Sequence, residues 1–508
     1  MITKLPQEFL SVISENNGLQ VYLSNLSKGR DYTPRSWLYE NESPDQVLQN
    51  WLNQLSVLEN GDTFEKEVFQ FDTSQLKKWG PQGGIAPIKD LLADVVEPTF
   101  ADADSPRPKA FTTKAWEQAK RFVVQQYHAN KIAVLRPAAY SNVVADMRAR
   151  DTLESNSGWP DFTRRNKPEV LAAAVKAAGN EAWMDYPAIA LFRNYNLKTR
   201  LVWMFPEATN IYEGSFCQPI QSAIINAGLD FYSPWVGFEK VRDLISWAYN
   251  DHHYFLTASD FSATDAHFQL ATTLEVFDVL KMVMQREAQG GLRASLERMH
   301  NIPLLIGPDR MMTGEHGVAS GSNWTNFIET VFDHVFSRYV YQEMHSLNSF
   351  CAIGDDMCWL STKYDDTAAE KLEQLGHSVG QDLNAEKVTN DPDKVKFLQR
   401  LFQRGYNRQD GKVRAVYSTI RALKSSVYPE RFHDRKSWNS DMFCARQFMI
   451  LENCVDHPLF EQFVKYVVHG QRDLIPFARK SAAELDKITR ETKLLPGFNP
   501  TYNQEKRD

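Results

Sequence analysis

The stretch AIGDDMCWL, Ala352 to Leu360, decides the fold. It sets two adjacent carboxylates, Asp355 and Asp356, between the short apolar runs Phe350–Ile353 and Met357–Leu360, the pattern of a hairpin. A tight turn is satisfied by Asn-Gly or Asp-Gly, so turn geometry alone does not require the second aspartate. Two like charges at one tip make sense if a divalent cation neutralises them; the plainer alternative is a solvated surface turn.

Upstream, HHYFLTASDF (His252–Phe261) reads as a buried strand, short and aromatic-rich, with Asp260 near its end. If this strand lies beside the hairpin, two or three carboxylates converge. Hard divalent ions take such oxygen ligands and leave other positions to water and phosphates. Two ions about 3.5–4 Å apart polarise an attacking hydroxyl and stabilise a leaving pyrophosphate. Between strand and hairpin run a helical pattern, TTLEVFDVLKMVMQREAQ, the glycine loop Gly314–Asn323, and WTNFIETVFDHVFSRYVYQEM. In the last, Trp324, Phe327, Ile328, Val331, Val335, Phe336 and Tyr339 recur at helical spacing. Strand, helix, glycine loop, helix and hairpin predict an α+β unit with a small antiparallel sheet.

Further side chains extend the set. Asp265 lies five residues beyond Asp260 in DFSATD. Ser320 and Gly321 precede Thr325 and Asn326, and small residues there let backbone approach a nucleotide closely. An Asn amide both donates and accepts, so Asn326 with Asp265 suits a ribose 2′-hydroxyl. Taken singly, Asn326 is an exposed helix residue and Asp265 a helix cap. In NLKTRLVW, Lys198 and Arg200 share one face of an extended segment. That arrangement suits a triphosphate, with a salt-bridged strand edge as the alternative.

Bulk properties frame these signals. With 508 residues the chain exceeds the roughly 250–300 that one core supports. A composition of 43% hydrophobic and 24% charged residues is that of a folded protein. Apolar runs stay well below the ~20 residues of a membrane span, and the N-terminus lacks signal-peptide features, so a soluble, non-secreted, non-membrane protein is expected. Five cysteines without C-x-x-C spacing predict buried reduced thiols. Net charge is −7, but its distribution is uneven. Residues 1–110 carry 10 Lys+Arg against 16 Asp+Glu, residues 111–200 carry 14 against 8, and residues 391–440 carry 12 against 5. Two basic blocks flank a neutral-to-acidic middle, which is compatible with a polyanionic partner, with a pair of solvated surfaces as the alternative. Helices are expected over PDQVLQNWLNQLSVLEN (Pro44–Asn60) and PEVLAAAVKAAGNEAW (Pro168–Trp183), loops at Trp79–Pro87 and Glu97–Phe111, and an extended segment over Tyr195–Pro206.

The motifs in this order resemble those of viral RNA-dependent RNA polymerases, most closely the picobirnaviruses, with partitiviruses next. SDFSATDAHF is similar to motif A, SGSNWTNFIET to motif B and IGDD to motif C; the steps are 60 residues (260 to 320) and 35 (320 to 355). KTRLVWMFP resembles motif F, with Arg193 a candidate third basic contact. TLESNSGWP resembles motif G, LNAEKV motif D with Lys387 as its lysine and Lys394 and Lys396 as competitors, and FLQRLF motif E.

The resemblance spans residues 150 to 430. It implies a right-hand polymerase with a small antiparallel palm sheet and mostly helical fingers and thumb. Residues 1–110 would form an N-terminal extension bridging fingers and thumb and 111–250 the fingers. Residues 251–270 would hold motif A, 271–313 an insert, 314–405 motifs B–E, and 406–508 the thumb and C-terminal segment. Implied roles are metal binding and catalysis by Asp260, Asp355 and Asp356, with Lys387 as proton donor. Nucleotide binding falls to Lys198, Arg200, Asp265, Ser320, Gly321, Thr325 and Asn326, and template contact to Ser155, Gly158 and Arg400. Implied too are Mg2+ (or Mn2+), ribonucleoside triphosphates, single- and double-stranded RNA and a capsid protein as partners, and a location inside the viral particle and host cytoplasm. Reverse transcription and unrelated metallohydrolysis are rival activities; a palm fold kept only for binding is a third. The tail TKLLPGFNPTYNQEKRD is a candidate to fold back and support an initiating nucleotide.

Overall fold

The computed structural model describes residues 1–431 and 439–493. The tail just named lies outside the described residues from Leu494 onward. The strands are β1 (Ile2–Lys4), β2 (Ala188–Tyr195), β3 (Lys198–Met204), β4 (Phe255–Ser262), β5 (Leu304–Leu305) and β6 (Arg310–Met312). They continue with β7 (Asn348–Ile353), β8 (Asp356–Ser361), β9 (Asp382–Leu383), β10 (Thr389–Asn390), β11 (Lys394–Phe397) and β12 (Arg400–Gln403). The helices that position the site are α1 (Pro44–Leu55), α2 (Thr63–Thr73), α3 (Pro168–Gly179), α4 (Glu207–Ala227), α5 (Trp324–Met344) and α6 (Thr419–Val427).

One sheet runs β10-β4-β8-β7, wholly antiparallel, with β9 pairing the far end of β4. It is the predicted small sheet, and α5 packs across it. Phe336 meets Phe261 of β4 at 5.7 Å and Trp359 of β8 at 5.8 Å, and Trp359 donates from Nε1 to Ser259 Oγ at 2.9 Å. Such aromatic contacts fix the sheet against the helix beyond plain area burial. The opposite side is filled by Phe350, Cys351, Cys358, Val395, Phe397 and Phe402, which bring the β11–β12 hairpin beneath the site.

A second sheet, β1-β6-β5-β2-β3, has one parallel pair, β2 with β5. The extended segment expected over Tyr195–Pro206 is a strand only from Lys198. Tyr195 ends the preceding strand and pairs with Lys198, and Asn196 and Leu197 form the turn at φ 56° and 61°. Two positive φ values match the twist of paired strands, but Asn-Leu lacks the usual glycine cue. The strand at His252–Phe261 starts only at Phe255, after His253 at φ 54°. The helix after motif A stops at Leu280. All five cysteines are buried and unpaired, as expected.

The acidic N-terminal segment reaches two distant parts of the chain. Asp72, buried on α2, accepts from Ser418 Oγ, Thr419 Oγ1, the amides of Thr419 and Ile420, and His457 Nε2. It thereby satisfies the free amides at the start of α6. Gln82 accepts from the Asn196 amide and donates to the Tyr428 carbonyl, at 3.0 and 2.7 Å. Thr33 Oγ1 donates to the Glu430 carbonyl at 2.6 Å. The N-terminal segment thus joins the β2–β3 hairpin to the chain around α6.

Candidate active site

The register of β4 and β8 brings the carboxylates together. Asp260 lies opposite Asp356, and the Phe261 amide donates to the Asp355 carbonyl at 3.3 Å. Gly354, at φ 60°, makes the turn before Asp355; a side chain there would meet Asn326 Nδ2 at 2.9 Å. Its amide donates to Thr330 Oγ1 of α5 at 2.9 Å, anchoring the tip. Ala263, at φ 51°, bends the chain after β4 and starts the short helix that carries Asp265. A left-handed alanine costs about 1 kcal/mol or more.

The charges of this site are poorly compensated from within. Burial, the neighbouring Asp355 and a side-chain hydrogen bond with it push Asp260 up to about 7, against the pull of Lys387 and Arg200. Burial followed by Asp355 and Asp260 raises Asp356 to about 8, and burial with Asp355 raises Asp265 to about 6. Asp355 is also raised by burial. Among the described residues no closed cluster of three or more His, Cys, Asp or Glu stands ready as a metal cage. What is present is a set of hard oxygen donors crowded enough to favour a divalent cation, with other positions open to water and phosphate.

Arg200, exposed on β3, acts electrostatically on Asp260, Asp265 and Asp355. Lys198 lies two residues away on the same strand, exposed as well. The glycine loop is bonded to this strand: the Trp203 amide donates to the Ser320 carbonyl at 2.7 Å. Thr325 Oγ1 donates to the Ala319 carbonyl at 3.1 Å, and Asn326 Oδ1 accepts from Trp235 Nε1 at 3.1 Å. Gly317 leaves no room for a side chain, since a Cβ would fall 1.9 Å from the Asp265 carbonyl oxygen. Asp265, the glycine loop and Asn326 at the hairpin tip therefore gather on one side of the acids.

The remaining expectations divide. Of the three candidate lysines, Lys387 lies beside the site and donates to Ser262 Oγ at 3.2 Å. Lys394 is paired with Glu67 at 2.6 Å, and Lys396 has Lys394, Glu67 and Lys77 as its charged neighbours. Arg193 is not a free third phosphate contact, because it forks Glu430 with two bonds of 2.7 Å. Ser155 is exposed, and Gly158 sits at φ 67° with its Cβ position 2.6 Å from the Phe205 carbonyl oxygen, next to the end of β3. Arg400 corrects the sequence reading. It is 5% exposed, donates to the carbonyl and Oδ1 of Asn453, and lies over Phe238 at 4.6 Å. With its donors and its planar face both occupied by protein, it is a packing residue rather than a template contact.

Sequence reasoning passed over three groups. Glu329 and Asp333 on α5 are buried behind the hairpin and held well above the usual carboxylate range by burial, then by nearby acids. Their signal was two acids four residues apart among the apolar residues of α5. Glu213 on α4, 1% exposed, binds the glycine loop; nothing in its local pattern marked it.

A four-stranded antiparallel sheet carrying acids at one end, a helix behind it and a basic strand facing it define the palm of a right-hand nucleic-acid polymerase. The profile of the viral RNA-dependent RNA polymerase family matches residues 196–431. The chain is 28% identical over 484 residues, 90% of its length and 86% of the relative's, to a potential RNA-dependent RNA polymerase of human picobirnavirus. Its fold matches the crystal structure of the RNA-dependent RNA polymerase of a human picobirnavirus with a TM-score of 0.81 at 25% identity, covering 97% and 94% of the two chains. An insertion-loop deletion mutant of such a polymerase matches with the same TM-score at 26% identity, with 97% of each chain covered. The chain is an RNA-dependent RNA polymerase, similar over most of its length to those of human picobirnaviruses.

Proposed function

We propose that this polymerase replicates and transcribes a double-stranded RNA genome by nucleotidyl transfer assisted by two magnesium ions, with manganese as a substitute. The observation that carries the reading is the pairing of Asp260 with Asp356 across β4 and β8, with Asp355 at the tip and Lys387 and Arg200 as cations acting on Asp260. Asp260 and Asp355 would hold the cations, with Asp356 assisting. When bound, the cations lower the cost of ionising a primer hydroxyl and of releasing pyrophosphate.

The protein's own groups do the rest. Lys198 and Arg200 neutralise and orient the triphosphate, which brings the α-phosphate in line with the hydroxyl. Asp265, Ser320, Gly321, Thr325 and Asn326 form the ribose side of the pocket, where the Asn326 amide and the Asp265 carboxyl read the 2′-hydroxyl. Lys387, beside Ser262, is placed to protonate the leaving pyrophosphate. Ser155 and Gly158 belong to a loop that meets the end of β3, where a template strand would pass.

In this reading residues 111–250 are fingers, 251–270 and 314–405 palm, and 406–508 thumb with the C-terminal segment, with 271–313 as an insert. Residues 1–110 bridge fingers and thumb, supported by the bonds of Gln82 and Asp72. Single- and double-stranded RNA, ribonucleoside triphosphates and the capsid protein are the partners, in the particle and the host cytoplasm. No helix among the described residues is long and apolar enough to cross a membrane.

The test is incorporation of labelled ribonucleotides on a single-stranded RNA template with magnesium. Wild-type product, with none from Asp355→Ala and RNA binding retained, is expected. Wild-type-like turnover in the variant would sink the assignment of the acids.

A further inference from the structure

The loop that carries Ser320 and Gly321 does not hold itself in place. Over Ala319–Asn323, among the described hydrogen bonds, it is closed on itself by a single one, from the Ser322 amide to the Ala319 carbonyl at 3.0 Å, and Gly321 is at φ 142°. Its conformation is imposed from outside, largely by one buried carboxylate. Glu213 accepts from Ser322 Oγ, from the Asn323 amide at 3.1 Å and from Asn210 Nδ2 at 2.9 Å. Ser322 Oγ in turn accepts from the Trp324 amide at 3.1 Å, so Glu213 also fixes the first turn of α5. Asn210 completes the hold: its carbonyl accepts from Asn323 Nδ2 at 2.8 Å, and its Nδ2 reaches the Gly321 carbonyl at 3.3 Å.

A second layer reaches the Ser155–Gly158 loop. Arg165 donates to Asn210 Oδ1 at 2.8 Å, to the Phe205 carbonyl at 3.4 Å and to the Asn156 carbonyl at 3.0 Å. Three segments far apart in sequence, residues 155–165, the start of α4 and the glycine loop, are thus joined through polar side chains. Buried networks of this kind specify one conformation when fully satisfied and lose it when a member is removed.

We propose that Glu213 is a positioning residue for sugar selection: it sets the Ser320–Asn323 turn so that Ser320, Thr325 and Asn326 meet the ribose in a single geometry. This rests on the reading of Asn326 and Asp265 as ribose contacts. Glu213 itself touches no substrate. A packing role alone would slow both sugars together, whereas a positioning role changes their ratio, because a 2′-hydroxyl contact is lost when the loop moves and a deoxy sugar has no such contact to lose.

The experiment measures kcat/KM for ATP and 2′-deoxy-ATP on one RNA primer–template with the full chain, in wild type, Glu213→Ala, Glu213→Gln and Ser322→Ala. Glutamine keeps an acceptor for Asn323 and Asn210 and a donor for Ser322, so Glu213→Gln is expected to stay within about threefold of the wild-type ratio. Glu213→Ala is expected to lower the ratio about tenfold or more, and Ser322→Ala by a smaller factor. An unchanged ratio in Glu213→Ala, with both sugars slowed alike, would overturn the proposal. If Glu213→Ala does not fold, an unchanged ratio in Ser322→Ala overturns it. A wild type that takes both sugars equally would instead overturn the ribose reading beneath it.

Discussion

Replacing Gly321 by alanine separates catalytic placement from stability. The residue has φ 142°, and a Cβ would stand 1.8 Å from the Trp203 carbonyl oxygen. Reaching the 3.0 Å that real Cβ contacts require means parting the loop from β3 by about 1.2 Å. The conformational cost is about 1–3 kcal/mol for a side chain in that region. Breaking the bond from the Trp203 amide to the Ser320 carbonyl adds about 1 kcal/mol. Against a typical stability of about 5–15 kcal/mol the chain still folds. A displacement near 1 Å in a pocket that aligns reactants costs on the order of 100-fold in rate. Primer extension under single-turnover conditions should therefore fall by about that factor, while the thermal midpoint drops modestly and RNA binding persists. Gly290→Ala is the control: its Cβ position has nothing within 4 Å, and it lies in a helix, where alanine is favoured. Turnover of Gly321→Ala within about threefold of wild type, with the same fold, would refute the claim that this close approach sets the pocket.

The charges set the remaining expected outcomes. With Asp260 and Asp356 as the proposed cation ligands, held up to about 7 and about 8, protons would compete with the cations, so the magnesium concentration for half-maximal activity should fall as pH rises from about 6 to about 8; a pH-independent requirement would contradict this. The same raised values mean that without cations the folded state binds more protons than the unfolded one, so stability falls as pH rises through that window. Asp72 has the opposite sign: its carboxyl is lowered, chiefly by His457 against the cost of burial, so its contribution is present above the ordinary carboxylate range and lost as pH falls through the folded value. Asp72→Ala should cost about 3–5 kcal/mol in denaturant titration, because it strands His457 and the amides of α6; a loss below about 1 kcal/mol would show that the N-terminal segment is not held there.

The legible parts of the sequence were those where local pattern and tertiary role coincide. Trp324–Met344 is helical at the bounds its apolar spacing predicts, and the Gly-Asp-Asp tip forms between two strands as its flanking runs require. The β2–β3 hairpin was half seen, because Asn196 and Leu197 take positive φ without a glycine, and Ala188–Phe192 reads as apolar without saying strand or helix. β1, β5 and β6 are two or three residues long and exist only through pairing across the chain, for which a sequence window holds no signal. Arg400 shows the limit for single charges. A basic residue in an apolar run faces either nucleic acid or an aromatic ring, and only packing against Phe238 decides between them. Glu213 lies beyond reach for the same reason, since its partners on the glycine loop are more than 100 residues away.

The strain and the uncompensated charge of this site lie together, and each explains the other. Ala263 and Gly354 take left-handed conformations on either side of the acids, and Gly321 is equally unusual on the facing loop. Carboxylates that repel would relax apart on a flexible scaffold, and with them the geometry proposed to admit a cation and a triphosphate. Here relaxation is opposed by groups outside the acidic cluster. Thr330 holds the hairpin tip, Trp203 holds the glycine loop to β3, and the Asn210 amide works with the buried Glu213 behind that loop. Arg200 acts on three of the acids and is exposed, so it can turn toward a substrate phosphate without dismantling the core. On the proposed reading, a site arranged this way gains stability as its ligands neutralise it, and binding energy would tighten the pocket at the step where alignment governs the rate.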